Sequence, residues 1–270
     1  MNILVLIKQV PMSSDIGVDE ETGVIKRDSG DSKMNPYDLY GLETAFQLKE
    51  EYGGKVSVLT MGPPAAEAVI REAYMMGADE GWLLSDRVFA GSDVLATSAA
   101  LSGGIQAMEN RSPFDLIICG KQTTDGDTGQ IASECSEFLQ IPCITNVVSI
   151  DSIIHDDSIS LSSDLGHRIE KVKVPFPAMI AVEKGIYQPR LPSYILKKKS
   201  AGYQINWLNQ EDLDKTNAAL YGLEGSPTQV VRIFPPDSNT EQEIWKGTAE
   251  ELSSRLFSLL EDEKFLQEGI

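Results

Sequence analysis

The sequence predicts an α/β fold: a doubly wound, mostly parallel sheet with helices on both faces, antiparallel edge strands, and an extended C-terminal arm ending in a helix. Three observations carry this prediction. Short unbroken apolar runs alternate with helical patterns through the first half of the chain. Four strand-like runs between 144 and 182 then follow one another without intervening helices. Beyond 200 the periodicity fades until a last amphipathic stretch. The 270 residues suffice for one large domain or for one domain plus an extension.

Taken in order, Met1-Asn-Ile-Leu-Val-Leu-Ile7 reads as a buried strand that turns polar at Lys8. It is too short to span a membrane and lacks a positive leader or cleavage site, so no targeting segment is expected. Gln9-Val10-Pro11 should be a turn at a carboxyl edge of the sheet, and weak alternation over 22–27 suggests a small hairpin. Asn35-Pro36 announces a helix, with Asn35 as cap, Pro36 at the first helical position, and Leu39, Leu42, Ala45, Phe46 and Leu48 on its apolar face. The run 56–60 is the next strand. Met61-Gly62-Pro63-Pro64 turns it into a helix bearing Ala68, Val69, Ala73 and Met76. After the short run 81–84, the loop 85–93 leads into a helix from Val94 to Met108. That loop reads either as a solvated connection or as a cofactor contact.

The stretch 115–130 changes from apolar run to polar loop to helix. Leu116 to Cys119 suit a parallel strand buried on both faces. Gly120 and Gly126 permit backbone turns, and Asp127 or Thr128 is the natural cap of a helix carrying Ile131, Cys135, Phe138 and Leu139. The amides around Thr128, Gly129 and Gln130 would then lack intrahelical partners and could hold a phosphate, with the Thr128 hydroxyl and Lys121 in support. Asp125 and Asp127 suit capping or ribose hydroxyls better. The competing reading is an ordinary strand-to-helix turn; neither the P-loop nor the dinucleotide glycine fingerprint is present.

The runs 144–150, 158–162, 169–174 and 178–182 should pair antiparallel at one edge, with His155 and His167 in or beside their turns. From Gly185 an aperiodic stretch with two prolines and two tyrosines, 186–196, should be an extended excursion. The arm follows the basic triplet Lys197-Lys198-Lys199. It ends in an amphipathic helix over 243–265 with Trp245, Leu252, Leu256, Leu259, Leu260 and Phe265.

A formal charge of -18 argues against nucleic acid and against an anionic membrane surface, which both need a positive footprint. Cys119, Cys135 and Cys143 show no CxxC spacing and no pairing with histidines, so zinc and disulfide frameworks are not expected and a reducing cytoplasm fits best. No nucleophile with a base, and no paired acid and base carboxylates, stand at recognisable spacing; hydrolytic chemistry is disfavoured.

The segment Gly120-Lys-Gln-Thr-Thr-Asp-Gly-Asp-Thr-Gly-Gln130 resembles the adenine-nucleotide loop of the electron-transfer flavoprotein β subunit. Lys8-Gln9-Val10-Pro11, Met34-Asn35-Pro36-Tyr37-Asp38, Met61-Gly62-Pro63, Met76-Gly77-Ala78-Asp79 and Pro189-Arg190 with the lysine triplet occur in that family's order, so the match spans essentially the whole chain. Ser85-Asp86-Arg87-Val88-Phe89-Ala90-Gly91-Ser92-Asp93 with Thr97 resembles the electron-bifurcating branch. There the β-subunit site holds a second FAD in place of AMP, and NADH or NAD meets it near this loop. Gly225-Ser226-Pro227-Thr228-Gln229-Val230 and Phe234-Pro235-Pro236 resemble that branch's tail.

The resemblance implies cofactor contacts from Leu6, Asn35 and Asp38, from Met61, Gly62 and Pro63, and from Asp86, Arg87, Phe89, Gly91, Asp93 and Thr97. It further implies them from Gly120, Lys121, Gln122, Thr124, Asp125, Gly126, Asp127, Thr128, Gly129, Gln130 and Ile131. It divides the chain into an FAD-binding domain at 1–184, a partner recognition loop at 185–200, and an arm at 201–270 that wraps the α subunit. The implied partners are that α subunit, a flavin dehydrogenase and a ferredoxin. Tyr194 stands where the family places the leucine that anchors an acyl-CoA dehydrogenase. With the run 221–236, this loop is closest to β subunits serving a 2-hydroxy-acid (lactate) dehydrogenase. The competing class is a colourless nucleotide-binding module, either an AMP-holding subunit or a nucleotide sensor.

Overall fold

A computed structural model describes residues 1–12, 32–154, 157–213, 219–229 and 243–265; the hairpin expected at 22–27, His155 and the 234–236 marker lie outside them. The chain divides into two compact units, 1–232 and 233–270. In chain order the first unit begins with β1 (Asn2–Leu6), β2 (Gln9–Pro11), β3 (Ser32–Met34), α1 (Pro36–Tyr52), β4 (Lys55–Met61), α2 (Glu67–Met76), β5 (Glu80–Leu84), α3 (Val94–Glu109) and β6 (Leu116–Gly120). It continues with α4 (Ile131–Leu139), β7 (Cys143–Ile154), β8 (Ser158–Asp164), β9 (Ile169–Pro175), β10 (Ala178–Val182), α5 (Tyr194–Lys199) and β11 (Ile205–Leu208).

Nine strands form one sheet in the order β11-β5-β4-β1-β6-β10-β7-β8-β9, parallel except for the β7-β8 and β8-β9 pairs. Because side chains of a strand alternate between faces, Ile3 and Val5 join Leu42 and Phe46 of α1 and Ile70 of α2 on one side. Leu4 and Leu6 join Ile105 of α3 and Cys135 of α4 on the other. Both faces are therefore covered, which is why β1 and β6 read as unbroken apolar runs and why β4 buries Ser57 and Thr60 along with its aliphatic side chains. The chain leaves β1 toward β4 and β5, then returns through α3 to β6 on β1's opposite side. This reversal puts a crevice outside the carboxyl ends of β1 and β6, where open α/β sheets bind ligands.

Several expectations need correction. Residues 178–182 are not at the antiparallel edge: β10 lies between β6 and β7 and runs parallel to both. All five of its residues are buried, and a strand without alternation belongs in the interior of a sheet. Gln9–Pro11 is not a bare turn but β2, paired antiparallel with β3. On α2 the buried face is Val69, Ile70, Ala73, Tyr74 and Met76, whereas Ala68 is exposed.

The C-terminal third differs most. Residues 205–208 are not a free arm: β11 extends the sheet beside β5, with Leu208 buried in the core. Residues 219–229 also belong to the first unit. Within 185–200, the extended stretch ends in α5, capped by Ser193. Arg190 fastens this stretch to α1. Its guanidinium pairs with Glu43 at 2.8 Å and Glu50 at 2.7 Å and lies 4.9 Å over the Phe46 ring. Leu191, Tyr194 and Ile195 remain exposed. In the second unit, α6 (Ala249–Asp262) is shorter than the 243–265 expected, because Thr248 and Glu251 form a capping box that starts it there. Trp245 lies outside this helix and receives the Arg255 guanidinium at 4.3 Å.

The contact that sets β6 against α1 is testable. A Cβ on Gly120 would stand 2.6 Å from the Tyr37 carbonyl carbon and 2.7 Å from an Asp38 carboxylate oxygen, and neither backbone nor buried carboxylate can yield cheaply. Gly120→Ala should destabilise the fold by about 1–3 kcal/mol in urea denaturation. An unshifted midpoint would mean that α1 begins farther from β6.

Candidate functional site

The carboxyl ends of β1 and β6 are joined by two buried polar side chains at the start of α1. Asn35, fully buried, donates from Nδ2 to Asp38 Oδ1 at 2.8 Å and to the Gln122 carbonyl at 2.9 Å, while its Oδ1 accepts from the Thr124 amide at 3.3 Å. Asp38 Oδ2 accepts from the Lys8 amide at 2.7 Å, directly after β1. Asn35 thus stands at the helix cap position without capping the helix. Its side chain is used to tether the 121–127 loop.

The loop itself is exposed from Thr124 to Gln130. The expected cap is corrected: α4 begins at Ile131 with Gln130 at the cap position, and no side chain caps it. The reason is local. Asp127 adopts the left-handed region, φ 54°, its amide donates to the Thr123 carbonyl at 2.9 Å, and its carboxylate accepts from Gln122 Nε2 at 2.5 Å. Asp127 closes the loop upon itself and cannot also cap the helix. The amides that lack intrahelical partners are those of Ile131, Ala132 and Ser133, which follow Thr128, Gly129 and Gln130.

Both lysines beside the loop are already paired. Lys8 Nζ contacts both oxygens of Asp125, at 2.8 and 2.7 Å, and Lys121 pairs with Glu183, which follows β10. Burial raises the Asp125 pKa, but the Lys8 ammonium outweighs it and holds that carboxyl below its ordinary range. An anion here would meet mainly backbone donors and the positive end of α4. Lys8 and Glu183 were missed as members of this constellation. The alternative signal was available for Lys8, since it ends the first apolar run.

The other expected residues also sit at the carboxyl edge. Leu6 ends β1 and is buried; Met61 ends β4, and the Gly62 amide donates to the Leu84 carbonyl at 3.1 Å before exposed Pro63. Arg87 is exposed. Asp86 accepts from the Val88 amide at 3.2 Å, and Asp93 caps α3 through the Ala96 amide at 3.0 Å. Thr97 lies in the first turn of α3, and Gly91 turns the loop with φ 76°. Phe89 is buried, edge-on to Tyr221 with centroids 5.5 Å apart.

The family model described as Electron transfer flavoprotein domain matches residues 22–206. The chain belongs to the electron transfer flavoprotein family, β-subunit type. It is 38% identical over 263 residues to the electron transfer flavoprotein subunit beta of Thermoanaerobacterium thermosaccharolyticum, covering 96% of this chain and 98% of that one. It is 37% identical to the caffeyl-CoA reductase-Etf complex subunit CarD of Acetobacterium woodii, over 98% of this chain and all of that one. Protein FixA of Azotobacter vinelandii is 36% identical over 90% of this chain and 86% of its own length. Electron transfer flavoprotein β subunits pair with an α subunit.

Cys119 directly precedes Gly120 at the end of β6, while Cys135 lies on α4 and Cys143 opens β7. Cys119, Cys135 and Cys143 are free thiols, and burial pushes Cys135 up to about 12 and raises Cys119 well above the ordinary thiol value, so neither is a thiolate at neutral pH. His167 is exposed in the turn between β8 and β9. A cavity of about 230 Å³ lined by Lys49, Glu50, Asp79, Arg190 and Tyr203 lies at the sheet's opposite edge, beside α5. Among the described residues no helix is long and apolar enough to cross a membrane.

The Asp38 carboxylate gives this site a pH signature. Burial pushes its pKa up to about 7, although Asn35 and Lys8 pull the other way. A carboxyl whose folded value lies above its unfolded value of about 3.9 holds its proton more tightly in the native state. The stability it contributes is fully present below that unfolded value and is lost as pH rises through about 7. Asp38→Asn removes this component. The stability of wild type relative to the variant should therefore fall between pH 4 and 7 and level off above about 8 in urea titrations. A difference independent of pH would contradict it.

Proposed function

We propose that this chain is the flavin-bearing β subunit of an electron-bifurcating complex, with FAD in the crevice outside β1 and β6. The residues present fit such a group. The unpartnered amides at the start of α4, the open 124–130 loop and the prior commitment of Lys8 and Lys121 to carboxylates suit a pyrophosphate held by backbone. The Thr128 hydroxyl adds a donor. Asp125 and Asp127 retain lone pairs for ribose hydroxyls beyond those used by Lys8 and Gln122. Asn35 and Asp38 hold the loop in place from below.

The observation that carries the bifurcating reading is the second loop, 85–93, whose residues match that branch and which stands on the same carboxyl edge, after β5. An AMP-holding subunit has no use for it. FAD held there by the 124–130 loop would supply the redox chemistry, hydride exchange with NADH and single-electron transfer toward the α-subunit FAD with its dehydrogenase and toward a ferredoxin. The chain's own work is position and charge. Exposed Arg87 meets the charge of the incoming dinucleotide, and buried Phe89 stiffens the loop that carries it.

The docking partner is a flavin dehydrogenase, met through the exposed side chains of 191–195. The 2-hydroxy-acid type follows from the resemblance of this loop, with Tyr194 in place of the leucine. The name of the Acetobacterium relative, a subunit of a caffeyl-CoA reductase complex, supports assembly with an oxidoreductase as such. A cytoplasmic location accords with the three free thiols.

Two measurements on the complex with its α subunit test this reading. Its visible spectrum should account for a flavin in each subunit, and a colourless β chain that releases AMP would return it to the nucleotide-holding class. Arg87→Ala should slow flavin reduction by NADH about tenfold in stopped flow, the loss of about 1.4 kcal/mol of transition-state positioning, with flavin content unchanged. Reduction at the wild-type rate would return the loop to solvent.

A further inference from the structure

The 85–93 loop and the described part of the branch tail, 225–229, are far apart in sequence but joined in space. Residues 219–229 lie across the 85–93 loop and are fastened at both ends. At one end the Tyr221 ring packs against Phe89, and the Gly222 amide donates to Ser92 Oγ at 3.2 Å. Gly222 has φ 66°, and a Cβ there would stand 2.0 Å from the Val88 carbonyl oxygen, so only glycine lets the segment lie this close. At the other end, Asp93 Oδ2 accepts from the Thr228 amide at 3.0 Å and from its hydroxyl at 2.7 Å, while the Asp93 amide donates to Ser226 Oγ at 2.8 Å. Ser226 Oγ in turn donates to the Gly222 carbonyl at 2.7 Å and closes the segment upon itself.

Asp93 is the node. One carboxylate oxygen caps α3, and the other holds the strap. Burial raises its pKa, but the bonds from Ala96 and Thr228 outweigh this and keep the carboxyl below its ordinary range, so it is ionised at neutral pH. Charge-assisted bonds of this kind are about twice as strong as neutral ones.

We propose that residues 219–229 are a strap that sets the shape of the 85–93 loop, with Asp93 as its positioning residue. The shape of that loop is then a property of the C-terminal third of the chain and not of the sheet alone. The strap's role in the reaction rests on the function proposed above; its mechanical role does not.

The test uses the full chain with its α subunit. Ser226→Ala with Thr228→Val deletes the strap's side-chain bonds and leaves the α3 cap and Arg87 untouched. Hydrogen exchange within 85–93 should become about tenfold faster, while β6 exchanges as before. Thr228→Val alone, which removes a single hydroxyl, should shift the same amides in the same direction by less, and it guards against a folding defect. Unaltered exchange in both variants overturns the strap. In stopped flow the double variant should reduce its flavin with NADH more slowly at unchanged flavin content. Faster exchange with an unchanged rate overturns the positioning role. A wild-type complex with no NADH-reducible flavin would instead remove the functional reading and leave the exchange result standing.

Discussion

The structure depends on a carboxylate and an amide buried together at the start of α1. Parallel strands end abruptly, and the polar backbone that leaves them must find partners or face water. Asp38 takes the amide that follows β1, and Asn35 takes both a carbonyl and an amide from the loop that follows β6. A buried polar network of this sort fixes geometry only when each member is satisfied. Here Asn35 uses both ends of its amide, which makes it a poor candidate for replacement by any other side chain. Gly120 completes the arrangement, since nothing larger fits between β6 and α1.

From that point α1 runs as a single helix of 17 residues to the opposite edge of the sheet. It carries Glu43, Phe46 and Glu50, the three groups that hold Arg190. Glu43 is almost completely buried, and removing one partner of a buried ion pair costs about 3–5 kcal/mol because a charge is left without compensation. The helix therefore ties the loop proposed to hold a cofactor to the segment proposed to meet a dehydrogenase. Both are presented by one rigid element. The strong negative charge of the chain fits this arrangement, for the cations beside the loop are neutralised locally and backbone amides are left to meet an anion.

Much of this was legible in the sequence, and the parts that were not share a cause. Unbroken apolar runs gave the parallel strands, and Asn35-Pro36 marked where α1 begins. Chain order puts β10 after two antiparallel strands, but its composition decides its place. Ala178-Met-Ile-Ala-Val182 has no alternation and could not have formed an edge with one wet face. Asp127 and Thr128 are good caps by residue type, yet α4 begins at Ile131; the left-handed backbone of Asp127 follows from the loop's closure, which leaves no periodic trace. The role of Asn35 was hidden in the same way. A side chain that caps its own helix and one that reaches across to residue 122 look identical in sequence. The contact between 219–229 and 85–93 depends on chain folding over more than a hundred residues, which leaves no local pattern in the sequence.

The most direct test of the account is the affinity of the assembled complex for its adenine nucleotide when Asn35 is replaced by Ala. This substitution removes the tether of the 121–127 loop and leaves every group proposed to touch the phosphates in place. Equilibrium dialysis with AMP and with FAD should show binding at least about tenfold weaker, equivalent to about 1.4 kcal/mol, with circular dichroism unchanged. Undiminished affinity in a folded variant would contradict the claim that this buried pair organises the site.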